Sequence, residues 1–527
     1  MKKLTLILVC LLVTVTMYAQ PAGTKVTWGT VEKTLILACE VLTSDETGYY
    51  AKVKSVDGMA LTDELMKLDK DFKQQSYYAF ENKNEKTKLH QYFTGYYIVA
   101  GKAYCMYYVA DDKAKKSRFE VITLDRNTMK PIGEPKVIMD FPFEKKNNSG
   151  DFYCYQSSDK TKFLVIGEKP QQDNEDENFF MKVMDADLNT LWDKEVKWKY
   201  NVDLFVHEDW KIDNDGNTYL LGKLYKDENK KGEQNFSYRI ISFRDKGAQK
   251  SDFEIKIKNG QFVKSVSFAT GKNNEIVVGG FYAKPEQSRR SIDGCYYMRM
   301  NTVNEEVLVS TIKEFDVEFV VKGMSPNAAE RARKRAAEGK DLDIKNIKMR
   351  PLVMKEDGGC IIIGEETEIN LDISLSNMVA KSSGVAASRG SFYYGDIISV
   401  NIAPDGKVLW ASKLPKVQST QDDNGNYSSF AAAAVKDKVY FFYNDHVKNT
   451  IDKTYDEIYR MQLNRNGAFV MVTLDNSGKL KREEIINLDV AETAIVSQSC
   501  KQIEPNKIFI YGNWMKKQQF STIEITN

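Results

Sequence analysis

Trp210-Lys211-Ile212-Asp213-Asn214-Asp215-Gly216-Asn217-Thr218-Tyr219-Leu220-Leu221-Gly222 decides how this chain is read. Two apolar, β-prone runs flank a short Asp/Asn/Gly segment, the chemistry of a tight antiparallel hairpin. Asp and Asn side chains bond the turn backbone, and glycine adopts positive φ without steric cost. The pattern recurs seven more times, with turns at Ser44-Asp45-Glu46-Thr47-Gly48, Ala100-Gly101-Lys102, Ser158-Asp159-Lys160-Thr161, Gly271-Lys272-Asn273-Asn274, Glu356-Asp357-Gly358-Gly359, Lys436-Asp437-Lys438 and Glu504-Pro505-Asn506.

Most of these turns lead into a short run that is apolar on both faces, such as Phe163-Leu164-Val165-Ile166-Gly167 or Ile508-Phe509-Ile510-Tyr511-Gly512. Such runs fit strands sandwiched between neighbouring sheets. A second set of turns follows further along the units, at Asp125-Arg126-Asn127, Asp185 to Asn189, Arg244 to Gly247, Ala403 to Lys407 and Leu474 to Lys479. Each unit therefore reads as four strands, A to D, and repetition at roughly sixty residues per unit specifies a β-propeller. The expectation is an all-β chain forming a single eight-bladed β-propeller over residues 20–527. The last unit, with strands around 494–503, 507–514 and 520–526, lacks a fourth strand. Residues 24–30, with Val26 and Trp28 alternating, can supply it and close the ring. If that segment is a lone arm, seven blades is the nearest alternative.

Composition agrees with one large folded unit. The 527 residues are 42% hydrophobic, with 28 Tyr and 26 Phe, too apolar for disorder. Lys2 and Lys3, the apolar stretch 4–16 and Met17-Tyr18-Ala19 read as a signal peptide over residues 1–19, cleaved before Gln20. Cys10 raises lipidation as an alternative, but it sits inside the apolar stretch behind bulky Val9. No later segment is long and apolar enough to span a bilayer. The expected location is the periplasm or exterior of a Gram-negative bacterium. Losing Lys2 and Lys3 changes 75 basic against 74 acidic residues to 73 against 74, a balance that offers no field for nucleic acid or an anionic membrane. Cys39, Cys105, Cys154, Cys295, Cys360 and Cys500 are scattered through apolar runs and read as small buried hydrophobes.

Two outer turns, Asp405-Gly406-Lys407-Val408-Leu409-Trp410 and Asp187-Leu188-Asn189-Thr190-Leu191-Trp192, resemble the tryptophan-docking repeat of eight-bladed quinoprotein-like propellers. The resemblance covers two of the eight units and implies that each Trp packs one blade onto the next. Catalytic quinoproteins hold their cofactor with adjacent cysteines and calcium. Vicinal cysteines are absent here, so the resemblance implies a fold and no reaction. The same turns fall short of the sialidase Asp-box.

Sequence motifs for chemistry are sparse. There is no Gly-x-Ser-x-Gly, no phosphate-binding Gly-rich loop and no His-Glu-x-x-His. Asp213-Asn214-Asp215-Gly216 resembles part of a calcium loop but lacks its carboxylate spacing and closing Glu. His90, His207 and His446 fall toward one rim in non-neighbouring units, so a shared metal site is not expected. The pairs Glu208-Asp209, Glu365-Glu366 and Asp422-Asp423 are what chance gives among 74 acidic residues, and consecutive strand residues point to opposite faces. No cofactor, metal or catalytic group is assigned.

The insertions carry more information. Long polar segments join strands B and C at 170–178, 226–235, 284–291, 368–389 and 447–466, and strand D to the next strand A at 316–348. In an up-and-down blade these connections all emerge on one face, and an elaborated face opposite a short-turn face is the layout of a binding surface. Within 316–348, Ser325-Pro326 starts a helix with body Asn327 to Glu338 and Gly339 as its stop. Arg331, Arg333, Lys334 and Arg335 make it basic and are the candidate binding residues. Residues 374–391, rich in Ser, Ala and Gly, read as a flexible loop. The function expected is a monomeric, non-catalytic binding or scaffold propeller for a protein or glycan at the cell envelope. The alternative is a polysaccharide-acting hydrolase or lyase near the central channel.

Overall fold

In the computed structural model, the described residues are 21–526 apart from 58–59, 100, 146–147, 172–173, 228–234, 258–259, 272–273, 285–290, 341, 343, 372–389, 452–457 and 464. The signal-peptide reading of residues 1–19 and nearly all of the expected loop 374–391 lie outside them. The chain is an eight-bladed β-propeller: eight antiparallel sheets follow one another along the sequence, the first seven built from strands A to D in chain order and the eighth completed by the N-terminal strand. Blade 3 is the plainest example, with A at Asp151–Gln156, B at Lys162–Glu168, C at Asp176–Asp185 and D at Thr190–Asn201. The six A-to-B turns whose residues are all described fall where the turn chemistry puts them, and the described strands flanking the other two agree. In the Trp210–Gly222 hairpin, one carboxylate oxygen of Asp213 accepts from the backbone N–H groups of Asp215 and Asn217, both at 2.9 Å, while Gly216 sits at φ +88°.

Strand B of blade 8, Lys507–Trp514, pairs with strand C, Lys517–Ile525, and the outer partner of strand C is the N-terminal strand Thr24–Trp28. Its register runs from Thr24 opposite Ile525 to Trp28 opposite Ser521. The blade departs from its sequence pattern on the inner side. Strand A covers only Lys501–Glu504, because Ser497–Ser499 forms a 3-10 turn, and Ile495 keeps a single bridge to Gly512.

Core residues lie between blades. Each of eight apolar clusters straddles two neighbouring sheets, for example Phe179, Trp198, Trp210 and Phe243 between blades 3 and 4. The cluster of Val41, Tyr49, Phe72, Phe509 and Tyr511 joins blade 8 to blade 1 and completes the circuit. Strand B is buried on both sides, as in Phe163, Leu164, Val165 and Ile166, all at 0% exposure.

Blade-to-blade contacts recur as clips. Strand D donates to a carbonyl in the C-to-D turn of the next blade: Ser76 to Asn127, Lys136 to Leu188, Lys194 to Gly247, Thr311 to Gly406 and Ser412 to Gly478, at 2.6–2.9 Å. Two tryptophans add to this. Trp192 of blade 3 donates its indole N–H to Gly216 O in blade 4 at 3.1 Å, and Trp410 of blade 6 lies against Gly478 of blade 7, where an added Cβ would come 2.8 Å from the ring. All six described cysteines are free. Burial pushes the Cys154, Cys295, Cys360 and Cys500 thiols up to about 12, far from the reactive range.

Candidate functional site

Strand order places the B-to-C and D-to-A connections at one end of the ring. Two of them are stitched together there: Ser291–Ile292 after strand B of blade 5 pairs with Ile344–Lys345 of the 316–348 connection. That connection holds two helices, α1 (Val317–Val321) and α2 (Pro326–Ala337). Ser325 is the N-cap of α2, Pro326 stands in its first turn, and Gly339 at φ +71° follows its end, as the sequence pattern requires. The sequence gives no sign of α1, whose β-branched residues favour a strand. It is held by Asp316, whose carboxylate accepts from Phe319 N at 2.9 Å, and by Lys413, which donates to Val320 O at 2.9 Å.

Arg331, Arg333, Lys334 and Arg335 are all exposed on α2. Arg333 is committed within the chain: its Nε and Nη2 meet the two carboxylate oxygens of Glu318 on α1, each at 2.8 Å. The basic patch therefore has one member that braces the helix pair.

The histidines do not gather. His446 uses Nδ1 to accept from Lys448 N at 3.1 Å, and His90 forms an isolated bridge to Lys83. No group of three His, Cys, Asp or Glu able to hold a metal occurs among the described residues. His207, on strand A of blade 4 (Phe205–Ile212), has a different setting. Its Nδ1 is 2.9 Å from Glu168 Oε1 at the end of strand B of blade 3, and its Nε2 is 3.5 Å from Glu177 Oε2 at the start of strand C. Burial works against the imidazolium, but the hydrogen bonds and charges of the two carboxylates outweigh it and lift His207 to about 9. The three side chains line a cavity of about 520 Å³ on the long-connection face, together with Asp151, Tyr153 and Lys169. Burial and the Glu168 charge raise the Asp151 carboxyl.

Glu168 and Glu177 escape sequence reading because their meeting with His207 depends on the strand register of one blade and the packing of the next. The only local signal is that Glu168 closes a buried strand.

A second polar cluster lies between blades 6 and 7. Lys416 and Glu365 have fully buried side chains and meet at 3.0 Å. Lys416 Nζ also donates to Gln418 Oε1 at 2.8 Å and Tyr394 O at 3.3 Å, while Glu365 accepts from Ser429 at 2.7 Å and from Arg350. The Glu365-Glu366 pair is split as expected of consecutive strand residues: Glu365 faces this cluster, and burial together with the Asp396 charge raises Glu366.

No protein-family model matches the chain, and no curated protein matches it. Among solved structures it is similar to the β-propeller domain of the trilobed protease of Pyrococcus furiosus, at 10% identity and TM-score 0.35, over 87% of this chain and 98% of that one. It is also similar to the polysaccharide lyase Uly1, at 9% identity and TM-score 0.35, over 86% and 93%. A third is the uncharacterized protein lmo1340 of Listeria monocytogenes, at 7% identity and TM-score 0.34, over 81% and 90%. These likenesses are distant, and the class of the protein, an eight-bladed β-propeller, rests on its own strand pairing.

Proposed function

We propose that this is an exported, non-catalytic binding or scaffold propeller that engages a protein or envelope polymer through its long-connection face. The observation that carries the reading is the asymmetry of the ring: tight turns at one end, and at the other the helical insertion, the stitched connections and the His207 cavity. The cavity's chemistry favours holding over turnover. A general base at neutral pH needs a free site for a proton, whereas His207 is held as imidazolium between two carboxylates. Those carboxylates converge on one imidazole, an arrangement unlike an acid and a base flanking a glycosidic bond.

Crosslinking capture from the native cell envelope tests this. Wild-type protein is expected to recover one stoichiometric partner, and Arg331→Glu/Lys334→Glu/Arg335→Glu to lose it through a slower, salt-sensitive on-rate. Asp215→Ser in an opposite-face turn should leave capture intact. The enzyme reading has one specific support, the three carboxylates of the cavity. Turnover of an envelope polysaccharide that disappears in Glu168→Gln and Glu177→Gln would establish it and overturn the binding reading.

A further inference from the structure

The innermost strands of blades 8, 1, 2 and 3 enclose a cavity of about 290 Å³ in the central channel. Its charges are unbalanced. Lys52, Lys160 and Lys501 all line it, against the single carboxylate of Glu40. Lys52 is half-buried and Lys160 and Lys501 are exposed at the cavity, and none of the three forms an ion pair with a described residue. Lys160, on the A-to-B turn of blade 3, reaches across to the Thr43 hydroxyl of blade 1. Lys52 lies over the Phe93 ring, 5.1 Å from its centroid. The Lys160 ammonium is disfavoured by burial first and then by the fields of Lys501 and Arg126. Thr94 also lines the cavity, while its hydroxyl is closed off and has no hydrogen-bond partner. A second cavity of about 310 Å³ shares Thr43 and Lys160, adds Arg126 and reaches the A-to-B turn residues Asp159 and Thr161, so the site lies toward the short-turn face.

We propose that this part of the central channel is a binding site for a small multivalent oxyanion, held by Lys52, Lys160 and Lys501. Converging cations that outnumber the one carboxylate beside them are the donor set an oxyanion takes. Multivalency follows from the count, because a singly charged anion leaves the lysines in excess over the negative charge. The cavity volume limits the ligand to about the size of a tricarboxylate. The site is independent of the long-connection face, so the two readings stand or fall separately.

The test is calorimetric titration of the signal-free chain with citrate and with inorganic phosphate at low ionic strength, with acetate as the monovalent control. Saturable binding of citrate or phosphate, and none of acetate, is expected. Lys160→Met and Lys501→Met should each weaken it at least about tenfold, and Lys160→Arg should retain it. Lys256→Met, at an exposed position outside the cavity lining, should leave it unchanged. Thermal unfolding separates a ligand site from a structural one: without anion, Lys160→Met should melt no lower than wild type, because removing one of several repelling charges relieves strain. Absence of binding by both anions, equal binding in both methionine variants, or a clear drop in the anion-free melting temperature of Lys160→Met each overturns the proposal.

Discussion

Two clusters of opposed charge sit toward the same end of the ring and differ in one respect: the Lys416–Glu365 cluster is sealed, while the His207 cluster lines an open cavity. In the sealed one, every strong group has a close partner, and both side chains of the central pair are at 0% exposure. In the open one, the second carboxylate stands 3.5 Å from the imidazole, an ion-pair distance and longer than a good hydrogen bond. The same residue chemistry thus serves two purposes. A fully buried central ion pair fixes how blades 6 and 7 meet, whereas an incompletely bonded network at a cavity wall retains capacity for a ligand.

The largest effect should come from breaking the sealed cluster. Lys416→Met leaves Glu365 buried with one cation fewer, and equilibrium unfolding in denaturant is expected to show a loss of roughly 3–5 kcal/mol. The double variant Lys416→Met/Glu365→Leu should recover much of it, since the pair and not either charge is what burial tolerates. The open cluster should respond less and in a pH-dependent way. His207 is lifted from an ordinary 6.5 to about 9 in the folded chain, so its stabilisation is fully present below 6.5 and is lost as pH rises through about 9. The shift corresponds to about 3 kcal/mol at most. Wild type and His207→Gln should therefore differ clearly in melting temperature at pH 6 and converge by pH 10. A pH-independent difference would mean that His207 contributes by packing alone. The smallest effect belongs to a fully exposed pair: Glu318→Gln should scarcely move the melting temperature, because surface ion pairs contribute little. It should, however, free Arg333 and strengthen capture of an acidic partner.

Local chemistry was legible in the sequence and register-dependent chemistry was not. The eight inner turns and α2 could be read because each is specified within a few residues, by Asp213 bonding its own turn or by Pro326 and Gly339 bracketing a helix. Trp192 and Trp410 could be read as blade-docking residues because a turn followed by Trp is a local signature, and each meets a glycine of the next blade's turns. By contrast, α1 forms against its β-branched composition because Lys413, far along the chain, fastens it. The Glu168–His207–Glu177 arrangement and the three channel lysines combine residues from two and three blades respectively, so only the closed ring brings them together.

The closing strand has a mechanical consequence. Thr24 and Ile525 are direct antiparallel partners, so the two ends of the ring leave it at the same point. Tension applied between them falls on one backbone hydrogen bond at a time and peels the strand like a zip, instead of shearing all its bonds together. A tether pulling on both ends would open this propeller at low force and in a fixed order, with the Thr24–Trp28 strand releasing first.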